Sequence, residues 1–253
     1  MTFGIISGCD KNYEWLLPWW WENYKKHNSY PVAIFDFGMS EEGKKFCIDR
    51  GIYYALPAIE QTIIPFSNLE EKNQSDFDIM YGGKEIAEKS RSAWFKKPQA
   101  ANHTPFDTSA WIDLDCEICL NLCELEMLLD SKEEISLRIE SEITIFILVL
   151  LNACHIDEIT YNSGVIVFKK NSSIIKDWLD LSLNENSSFG GDQDALCRAI
   201  YLKNHPIKLL PDKFNKLDFD HTIPSREIRH FAGPKGKEKI KKIVKISPKQ
   251  ILI

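Results

Sequence analysis

Two aspartates stand one residue apart where a short apolar run ends, in the stretch WIDLDCE at residues 111–117. If that run is a strand, residues i and i+2 project from the same face, which places the carboxylates of Asp113 and Asp115 about 7 Å apart on one side. Two like charges at that separation repel each other, and a divalent cation with oxygen ligands can hold both. The D-x-D pattern is common, so a solvated strand end with two incidental acids is the alternative interpretation.

Three later segments carry residue types that suit the same chemistry. Residues 162–164, Asn-Ser-Gly, place two short polar side chains and a glycine before an apolar strand pattern. Residues 190–194, GGDQD, put flexible backbone before an acid and an amide at a predicted helix start, where Asp192 also fits a helix cap. Residues 229–237, RHFAGPKGK, combine an imidazole, which binds Mn²⁺, with glycines and lysines, which suit a phosphate.

The apolar patterns predict a mixed α/β chain. Apolar runs bounded by glycine and polar residues predict strands at 3–6, 31–38, 110–113 and 165–168. Helices are predicted at 14–27, 41–50, 83–92, 96–103, 123–130, 174–183 and 192–202, with a long loop over the rest of 60–92. The first fifty residues thus run strand, helix, strand, helix, an order that implies a parallel sheet with crossover helices. No repeat or low-complexity linker divides the chain, so one domain is expected.

The bulk composition argues against several classes of protein. A net charge of −6 over 253 residues gives no overall nucleic-acid footprint, although residues 235–249 hold seven lysines and one glutamate. The longest apolar run, 143–151, is far short of the roughly 20 residues that span a bilayer and is expected to be a buried element. Seven scattered cysteines and the lack of a signal-peptide pattern predict a cytoplasmic protein. Cys116, Cys119 and Cys123 lack a second pair at zinc-finger spacing, so buried thiols are expected there.

The ordered set D-x-D, N-S-G, G-D-Q-D and H-F-x-G-x-K resembles the nucleotide-sugar glycosyltransferases of the GT-A fold. Within that group it is most similar to family 8, which contains glycogenin and the bacterial lipopolysaccharide galactosyl- and glucosyltransferases. The resemblance runs from Phe3 to about Lys237. It implies a single Rossmann-like α/β domain over 1–237, with a mostly parallel central sheet flanked by helices. A basic tail over 238–253 would pack on this domain or extend from it.

The resemblance also implies roles for individual residues. The metal, Mn²⁺ or Mg²⁺, would be held by Asp113, Asp115 and His230. The nucleotide and its diphosphate would contact Ser7, Gly8, Asp10, Tyr13, Lys97, Asp113, Gly233, Lys235 and Lys237. The donor sugar would contact Asn162, Ser163, Gly164 and Asp192, and the catalytic candidates nearest its reacting carbon are Asp192 and Gln193. Ordinary packing for Tyr13, a solvated helix position for Lys97 and a core or surface position for His230 are the alternatives.

The sequence departs from the family in several places. Family 8 chains usually close with H-x-x-G-x-x-K-P-W, but here Gly236 stands at the lysine position, between Lys235 and Lys237, and Pro-Trp is lacking. Either lysine is a candidate to reach the diphosphate, and the sequence leaves that choice open. Residues 130–160, the acceptor region, match nothing in the pattern. Larger residues replace the small ones often found around the metal acids, at Leu114 and Cys116.

The expected activity is metal-dependent transfer of a hexose from a UDP-sugar, with retention, to an acceptor that is a glycan, a lipid-linked glycan or a protein. Two alternatives stay open: a non-catalytic nucleotide-sugar-binding protein with the same fold, and a secreted effector that glycosylates a host protein. The lysine-rich tail, with isoleucines and a valine spaced among its lysines, predicts a peripheral membrane contact, against the alternative of a solvated basic helix. The expected location is the cytoplasm, with membrane association through that tail.

Overall fold

The computed structural model describes residues 1–59, 62–71, 73–76, 83–129, 132–217 and 227–246. Part of the long loop expected over 60–92 and the end of the tail predicted over 238–253 lie outside these residues. Every residue of the predicted site lies within them.

The described residues form a strand or a helix at or near every predicted position, together with further strands and helices that the sequence patterns did not predict. The strands are β1 (Phe3–Cys9), β2 (Val32–Asp36), β3 (Tyr53–Ala55), β4 (Thr108–Ile112), β5 (Cys116–Ile118), β6 (Ile135–Ile139), β7 (Tyr161–Lys169), β8 (Lys208–Leu209), β9 (Lys216–Leu217) and β10 (Ile228–His230). The helices are α1 (Leu17–His27), α2 (Glu41–Ile48), α3 (Lys84–Trp94), α4 (Lys97–Asn102), α5 (Cys123–Glu126), α6 (Glu142–Leu150), α7 (Ser173–Asn184), α8 (Asp192–Lys203) and α9 (Gly233–Ile246). A short 3-10 turn, Glu14–Leu16, begins the helix predicted at 14–27.

The main sheet has the strand order β3-β2-β1-β4-β7-β6-β8. Strand β1 pairs in parallel with both β2 and β4, β2 pairs in parallel with β3, and β6 pairs in parallel with β8. Strand β7 alone in this sheet runs antiparallel to its neighbours, β4 and β6. The central sheet of the described residues is therefore mostly parallel with helices around it, which confirms the predicted α/β fold class.

The direction of β7 decides where polar segments meet. Because β7 runs against β4, its first residues lie beside the last residues of β4, with Val165 opposite Ile112. The Asp113 N–H therefore donates to the carbonyl of Gly164 at 2.9 Å. In an all-parallel sheet, a motif before one strand and a motif after another would lie at opposite edges. The reversal brings the N-S-G and D-x-D motifs to the same edge.

The two aspartates lie in a turn, and the prediction that they share one face of a strand is wrong. Strand β4 ends at Ile112, and the Cys116 N–H donates to the carbonyl of Asp113 at 3.0 Å. After this turn, β5 pairs antiparallel with β10, and β10 pairs in parallel with β9, to form a second, three-stranded sheet. That pairing sets His230 opposite Cys116 and so brings the C-terminal imidazole to the turn.

Apolar side chains cover both faces of the main sheet. Successive residues of β1 point to opposite faces, so Ile5 lies in one core with Trp20 of α1, and Ile6 lies in the other with Trp178 of α7 and Leu196 of α8. Each fully buried side chain of this size contributes about 1.5–3 kcal/mol to stability. The edge that carries the polar motifs is thus held between two packed layers.

The prediction that the apolar run 143–151 forms a buried element is wrong. The run forms helix α6, in which Leu148 is buried while Ile143, Phe146 and Leu150 are each more than 60% exposed. When a helix is apolar on every side, its sequence has no periodicity that would indicate which face packs against the neighbouring elements. Among the described residues, none of the helices combines the length and the apolar character needed to cross a bilayer.

Helix α9 continues without a break across the predicted boundary at residue 237. Ile240 is fully buried in the same core as α1, and Val244 packs against that core. The Lys241 Nζ lies 5.4 Å from the centroid of the Trp15 ring. Helix α9 therefore packs against this core through Ile240 and Val244, and Ile240 is not available to a membrane surface.

Replacing Ile240 is expected to destabilise the whole domain. The change Ile240→Ala should lower the free energy of unfolding by about 2–5 kcal/mol, because it removes buried methyl and methylene groups and leaves a cavity. Ile243, on the same helix and 37% exposed, is the matched control, and Ile243→Ala should cost less than about 1 kcal/mol. Chemical denaturation followed by tryptophan fluorescence measures both. Equal losses in the two variants would contradict the packing of α9 on the domain.

Candidate active site

Asp113 and Asp115 lie at different depths in the turn after β4. The side chain of Asp113 is 26% exposed, and its Oδ1 lies 3.0 Å from the Nζ of Lys97. Asp115 is buried, and its Oδ2 accepts a hydrogen bond from the Nζ of Lys237 at 2.7 Å. Burial opposes the ionisation of Asp115, but Lys237 and His230 outweigh it and hold the pKa of Asp115 below its ordinary value. Asp115 is therefore a carboxylate at neutral pH.

His230 reaches these acids from β10. Its Nε2 lies 3.4 Å from Asp115 Oδ1 and 4.0 Å from Asp113 Oδ2. Gly164 lies against the other side of the ring, where the Cβ of any larger residue would overlap the imidazole. Glycine at 164 is thus required by the position of His230. The structure brings the three predicted metal ligands together.

Lys97 links this cluster to a second buried acid. Its Nζ lies 3.0 Å from Asp113 Oδ1 and 3.4 Å from Asp192 Oδ2, and it donates to the carbonyl of Ser163 at 3.0 Å. Burial lowers the pKa of Lys97, but the charges of Asp113 and Asp192 more than reverse this, so the pKa is raised. Lys97 is 6% exposed, which rules out the alternative of a solvated helix lysine.

Asp192 and Gln193 begin α8 and face Ser163. The Ser163 Oγ donates to Asp192 Oδ2 at 3.2 Å, and the Ser163 N–H donates to Gln193 Oε1 at 2.9 Å. The capping acid of this helix is Asp194, which accepts from the backbone N–H that precedes α8. Burial raises the pKa of Asp192, and the attraction of Lys97 offsets this only in part. A buried acid of this kind beside a specific charge partner is typical of functional sites.

The structure places Lys237 in the cluster and Lys235 outside it. The Nζ of Lys237 bonds to Asp115 and lies 5.5 Å from the centroid of the Tyr13 ring. Burial alone would lower the pKa of Lys237, but the charge of Asp115 raises the pKa by more, so it lies above its ordinary value. Lys235 is exposed on the first turn of α9. Gly233 starts that helix with φ +71°, a conformation that strains other residues.

The predicted nucleotide-binding residues lie in the last part of β1, where Ser7 and Gly8 stand, and just after it, and they make mostly local contacts. The Oγ of Ser7 is fully buried and has no hydrogen-bond partner among the described residues. Gly8 lies against an aromatic ring that leaves no room for a Cβ. The carboxylate of Asp10 accepts hydrogen bonds from the backbone and side-chain nitrogens of Asn12 at 2.9 and 2.8 Å. Tyr13 connects this set to the site, because the Nζ of Lys237 lies 5.5 Å from the centroid of its ring.

Two buried residues that the sequence did not single out complete the site. The Oε2 of Glu140 accepts hydrogen bonds from Asn162 Nδ2 at 2.8 Å and from Gln193 Nε2 at 3.3 Å. Asn215 connects Asn162 to His230. Neither residue stands in a recognisable motif, because Asn162 is 22 positions from Glu140 and 53 from Asn215. Only the folded chain brings them together.

Arg91 fixes the loop that precedes α8, and no sequence pattern pointed to this role. Its buried guanidinium donates to the backbone carbonyls of Asn186, Phe189 and Gly190. Hydrogen bonds from a charged donor are among the stronger ones in proteins. This clamp holds the backbone immediately before Asp192 in place.

The donor set at the turn suits a divalent cation. Ligand atoms of Asp115, Cys116 and His230, all buried, lie within 4.8 Å of one another, and Asp113 faces the same imidazole nitrogen. Carboxylate oxygen and neutral imidazole are ligands that Mn²⁺ takes, and carboxylate oxygen is the usual protein ligand of Mg²⁺. The residues present therefore fit the predicted metal.

No protein-family model matches the sequence, and no curated protein matches it. Solved structures do match. The galactosyltransferase LgtC in complex with donor and acceptor sugar analogs is 14% identical, with a TM-score of 0.61, and the match covers 91% of this chain and 87% of that one. Mouse xyloside xylosyltransferase 1 is 12% identical, with a TM-score of 0.53 and coverage of 91% and 97%. The glycosyltransferase GlyE of Streptococcus pneumoniae is 14% identical, with a TM-score of 0.53 and coverage of 92% and 55%.

These similarities identify the fold. The chain has the GT-A fold of glycosyltransferases, which confirms at the level of fold the resemblance carried by the D-x-D, N-S-G and G-D-Q-D motifs. The three-stranded sheet that carries His230 and the reversed strand β7 are the parts of this fold that assemble the site.

Removing the charge of Lys97 is expected to destabilise the protein in a pH-dependent way. The change Lys97→Met leaves the half-buried Asp113 and the buried Asp192 without their shared cation, which should cost about 3–5 kcal/mol at neutral pH. Because the pKa of Lys97 is raised, the pairing persists throughout the neutral and mildly alkaline range. The pairing is lost as the pH falls and the carboxylates take up protons, so the difference in unfolding free energy between the parent protein and the variant should become smaller in acid. Because the pKa of Asp192 is raised from 3.8, this decrease should begin above pH 3.8.

Denaturant unfolding of both proteins between about pH 4 and pH 8 measures this difference. Lys89→Met, at an exposed lysine of α3, is the control and should change little at any pH. A loss at Lys97 that is the same at every pH would show that packing, and not charge, is what the lysine contributes.

Proposed function

We propose that this chain is a metal-dependent glycosyltransferase that moves a hexose from a UDP-sugar to an acceptor, with retention at the anomeric carbon. The observation that carries the proposal is the convergence of charge: Asp115 lies beside His230 and Lys237, and Lys97 joins Asp113 to Asp192. These side chains come from widely separated parts of the sequence. The neighbour LgtC, solved with donor and acceptor sugar analogs, supports a nucleotide sugar and a glycan as the partners.

Asp113, Asp115 and His230 are the proposed ligands of Mn²⁺ or Mg²⁺. When bound, the cation would neutralise the diphosphate of the donor as its bond to the sugar breaks. Lys237 is the positive charge that the chain itself supplies at this point, since its Nζ is 2.7 Å from Asp115 and its pKa is raised. A lysine at that position can donate to a phosphate oxygen. Lys235, exposed on the same helix, is the proposed outer contact.

The nucleotide is proposed to lie against the end of β1, over Ser7, Gly8, Asp10 and Tyr13. The contact between Tyr13 and Lys237 supports this placement, because it puts an aromatic ring beside the cation that would hold the diphosphate. Aromatic rings stack on bases without regard to their hydrogen-bonding edges. Gly233 is proposed to let the backbone approach the phosphates, because its left-handed φ favours glycine and glycine has no side chain in the way.

The donor sugar is proposed to lie over Ser163, Gly164, Asp192 and Gln193. Transfer passes through an oxocarbenium-like state, and a buried carboxylate beside the anomeric carbon stabilises its positive charge. Asp192 is already held by Lys97 and by Ser163, which favours a stabilising role over a covalent bond to the sugar. Attack by the acceptor on the face from which the diphosphate leaves would then give retention.

The acceptor is proposed to be a glycan, free, linked to a lipid or carried on a protein. Lys241, Lys242 and Lys245 are exposed on α9. Each such cation near an anionic leaflet contributes about 1 kcal/mol of attraction, so this basic face supports a peripheral membrane contact. Because Ile240 is buried, the proposed contact would be made mainly by the lysines.

Binding of UDP is expected to need both the metal and Asp115. Isothermal titration calorimetry should detect UDP binding in buffer that contains Mn²⁺ and no binding once a chelator is added. The expected reason is that the metal links the diphosphate to the protein. The change Asp115→Asn should weaken binding in Mn²⁺ at least about tenfold, an effect of 1.4 kcal/mol or more. Asp157→Asn, at an acid that is 78% exposed, is the control and should bind as the parent does.

Turnover completes the test. Release of UDP from UDP-glucose, UDP-galactose and UDP-N-acetylglucosamine identifies the donor, and Asp192→Asn should lower the rate on the best donor while UDP binding stays intact. Metal-independent UDP binding, or unchanged binding in Asp115→Asn, would contradict the metal site. Tight UDP binding without release from any sugar nucleotide would favour a non-catalytic binding protein.

A further inference from the structure

A chain of four buried polar side chains connects the sugar side of the site to the metal side. Asn162 Nδ2 donates to Glu140 Oε2 at 2.8 Å, and Asn215 Nδ2 donates to Asn162 Oδ1 at 2.8 Å. Asn215 Oδ1 then lies 3.1 Å from Nδ1 of His230. All four residues are less than 10% exposed, and Asn215 is fully buried. Water does not compete for these hydrogen bonds, so their directions are set within the protein.

The orientation of Asn162 is fixed from two sides. The backbone N–H of Gly164 donates to one amide atom of Asn162 at 3.0 Å, and a backbone N–H cannot accept, so that atom is the oxygen. The other amide atom faces Glu140, whose carboxylate also accepts hydrogen bonds from the Ser141 N–H and from Gln193 Nε2. The oxygen of Asn162 therefore points away from Glu140 and towards Asn215.

The orientation of Asn215 follows from that of Asn162. Because the oxygen of Asn162 can only accept, the Asn215 atom that bonds to it is Nδ2. The remaining atom, Oδ1, also can only accept, so Nδ1 of His230 must carry the hydrogen between them. In a neutral imidazole, Nε2 is then left with its lone pair, and Nε2 is the atom that faces Asp115 and Asp113.

We infer that Asn215 is a positioning residue that holds His230 in its Nδ1–H form, and that Asn162 acts through Asn215 more than through the donor sugar. A histidine can ligate a metal through Nε2 only in this form, and residues that fix the form typically change metal affinity 10- to 100-fold when removed. The same carboxylate of Glu140 that fixes the start of the chain also orients Gln193. One buried acid therefore sets the geometry of both halves of the site.

The protonation of His230 is measurable without any metal. In protein labelled with ¹⁵N-histidine, long-range ¹H–¹⁵N spectra show which ring nitrogens carry hydrogen. His230→Gln assigns the signals. The expected result is hydrogen on Nδ1 in the parent protein. Hydrogen on Nε2 alone would overturn the inference.

Two variants test the role of Asn215 itself. Asn215→Leu removes the acceptor, and His230 should then shift to the Nε2–H form that free imidazole favours, or to a mixture. Asn215→Asp keeps an oxygen facing Nδ1, so the Nδ1–H form should be retained, although the lost bond to Asn162 lowers stability. Ile240→Ala, destabilised only through packing, is the control and should leave the His230 signals unchanged. An Nδ1–H form that persists in Asn215→Leu would overturn the inference.

The expected effect on metal binding rests on the proposed function. The measurements distinguish a failure of the proposed metal site from a failure of the assigned hydrogen position on His230. Mn²⁺ affinity, measured from the electron paramagnetic resonance signal of the free ion, should fall about 10- to 100-fold in Asn215→Leu and clearly less in Asn215→Asp. Unchanged affinity in Asn215→Leu would overturn the effect on the metal. If the parent protein binds no Mn²⁺ although His230 carries hydrogen on Nδ1, the proposed metal site fails and the positioning role of Asn215 stands.

Discussion

Compensation of buried negative charge is the constraint on which the site depends. Asp115 and Asp192 are each less than 10% exposed, and an uncompensated carboxylate at that depth would strongly destabilise the fold. Lys97 and Lys237 provide the opposite charges, from α4 and from α9. Helix α9 therefore packs on the domain for two reasons that act one turn apart, the ion pair of Lys237 and the burial of Ile240. Helix α9, the last helix of the described residues, contributes to the site for that reason.

The compensation is possible only because one strand is reversed. Strand β7 delivers Ser163 and Gly164 to the edge where Asp113 leaves β4, and Lys97 donates to the carbonyl of Ser163 while it pairs with Asp113 and Asp192. The contacts of Lys97 with Asp113, Ser163 and Asp192 thus connect the end of β4, the start of β7 and the start of α8. A lysine in this position stabilises the arrangement of the backbone as well as the acids, so the architecture and the charge pattern depend on each other.

The sequence predicted the parts of the site that are carried by short motifs. Strands β1, β2, β4 and β7, seven of the helices and the meeting of Asp113, Asp115 and His230 were predicted, because local patterns and a family resemblance both point to them. The short strands and helices α6 and α9 were not predicted. Strand alternation gave the wrong geometry for the two aspartates, since the chain turns at Asp113. Glu140 and Asn215 were missed because isolated polar residues in a sequence carry no sign of their distant partners. The exposure of α6 was missed because an apolar run does not say whether anything covers it.

The departure at Cys116 bears on which cation the cluster selects. Its thiol lies within reach of the proposed ligands Asp115 and His230, and a thiolate there would favour a soft ion such as Zn²⁺ over Mn²⁺ or Mg²⁺. Burial, with the nearby charges of Asp115 and Asp113, raises the pKa of Cys116 well above its ordinary value, so the thiol keeps its proton at neutral pH. A protonated thiol is a poor ligand, and a soft ion would have to displace that proton against the same burial and the same charges. The neutral sulfur therefore packs as a small apolar group beside the carboxylate and imidazole side chains, which are the proposed ligands.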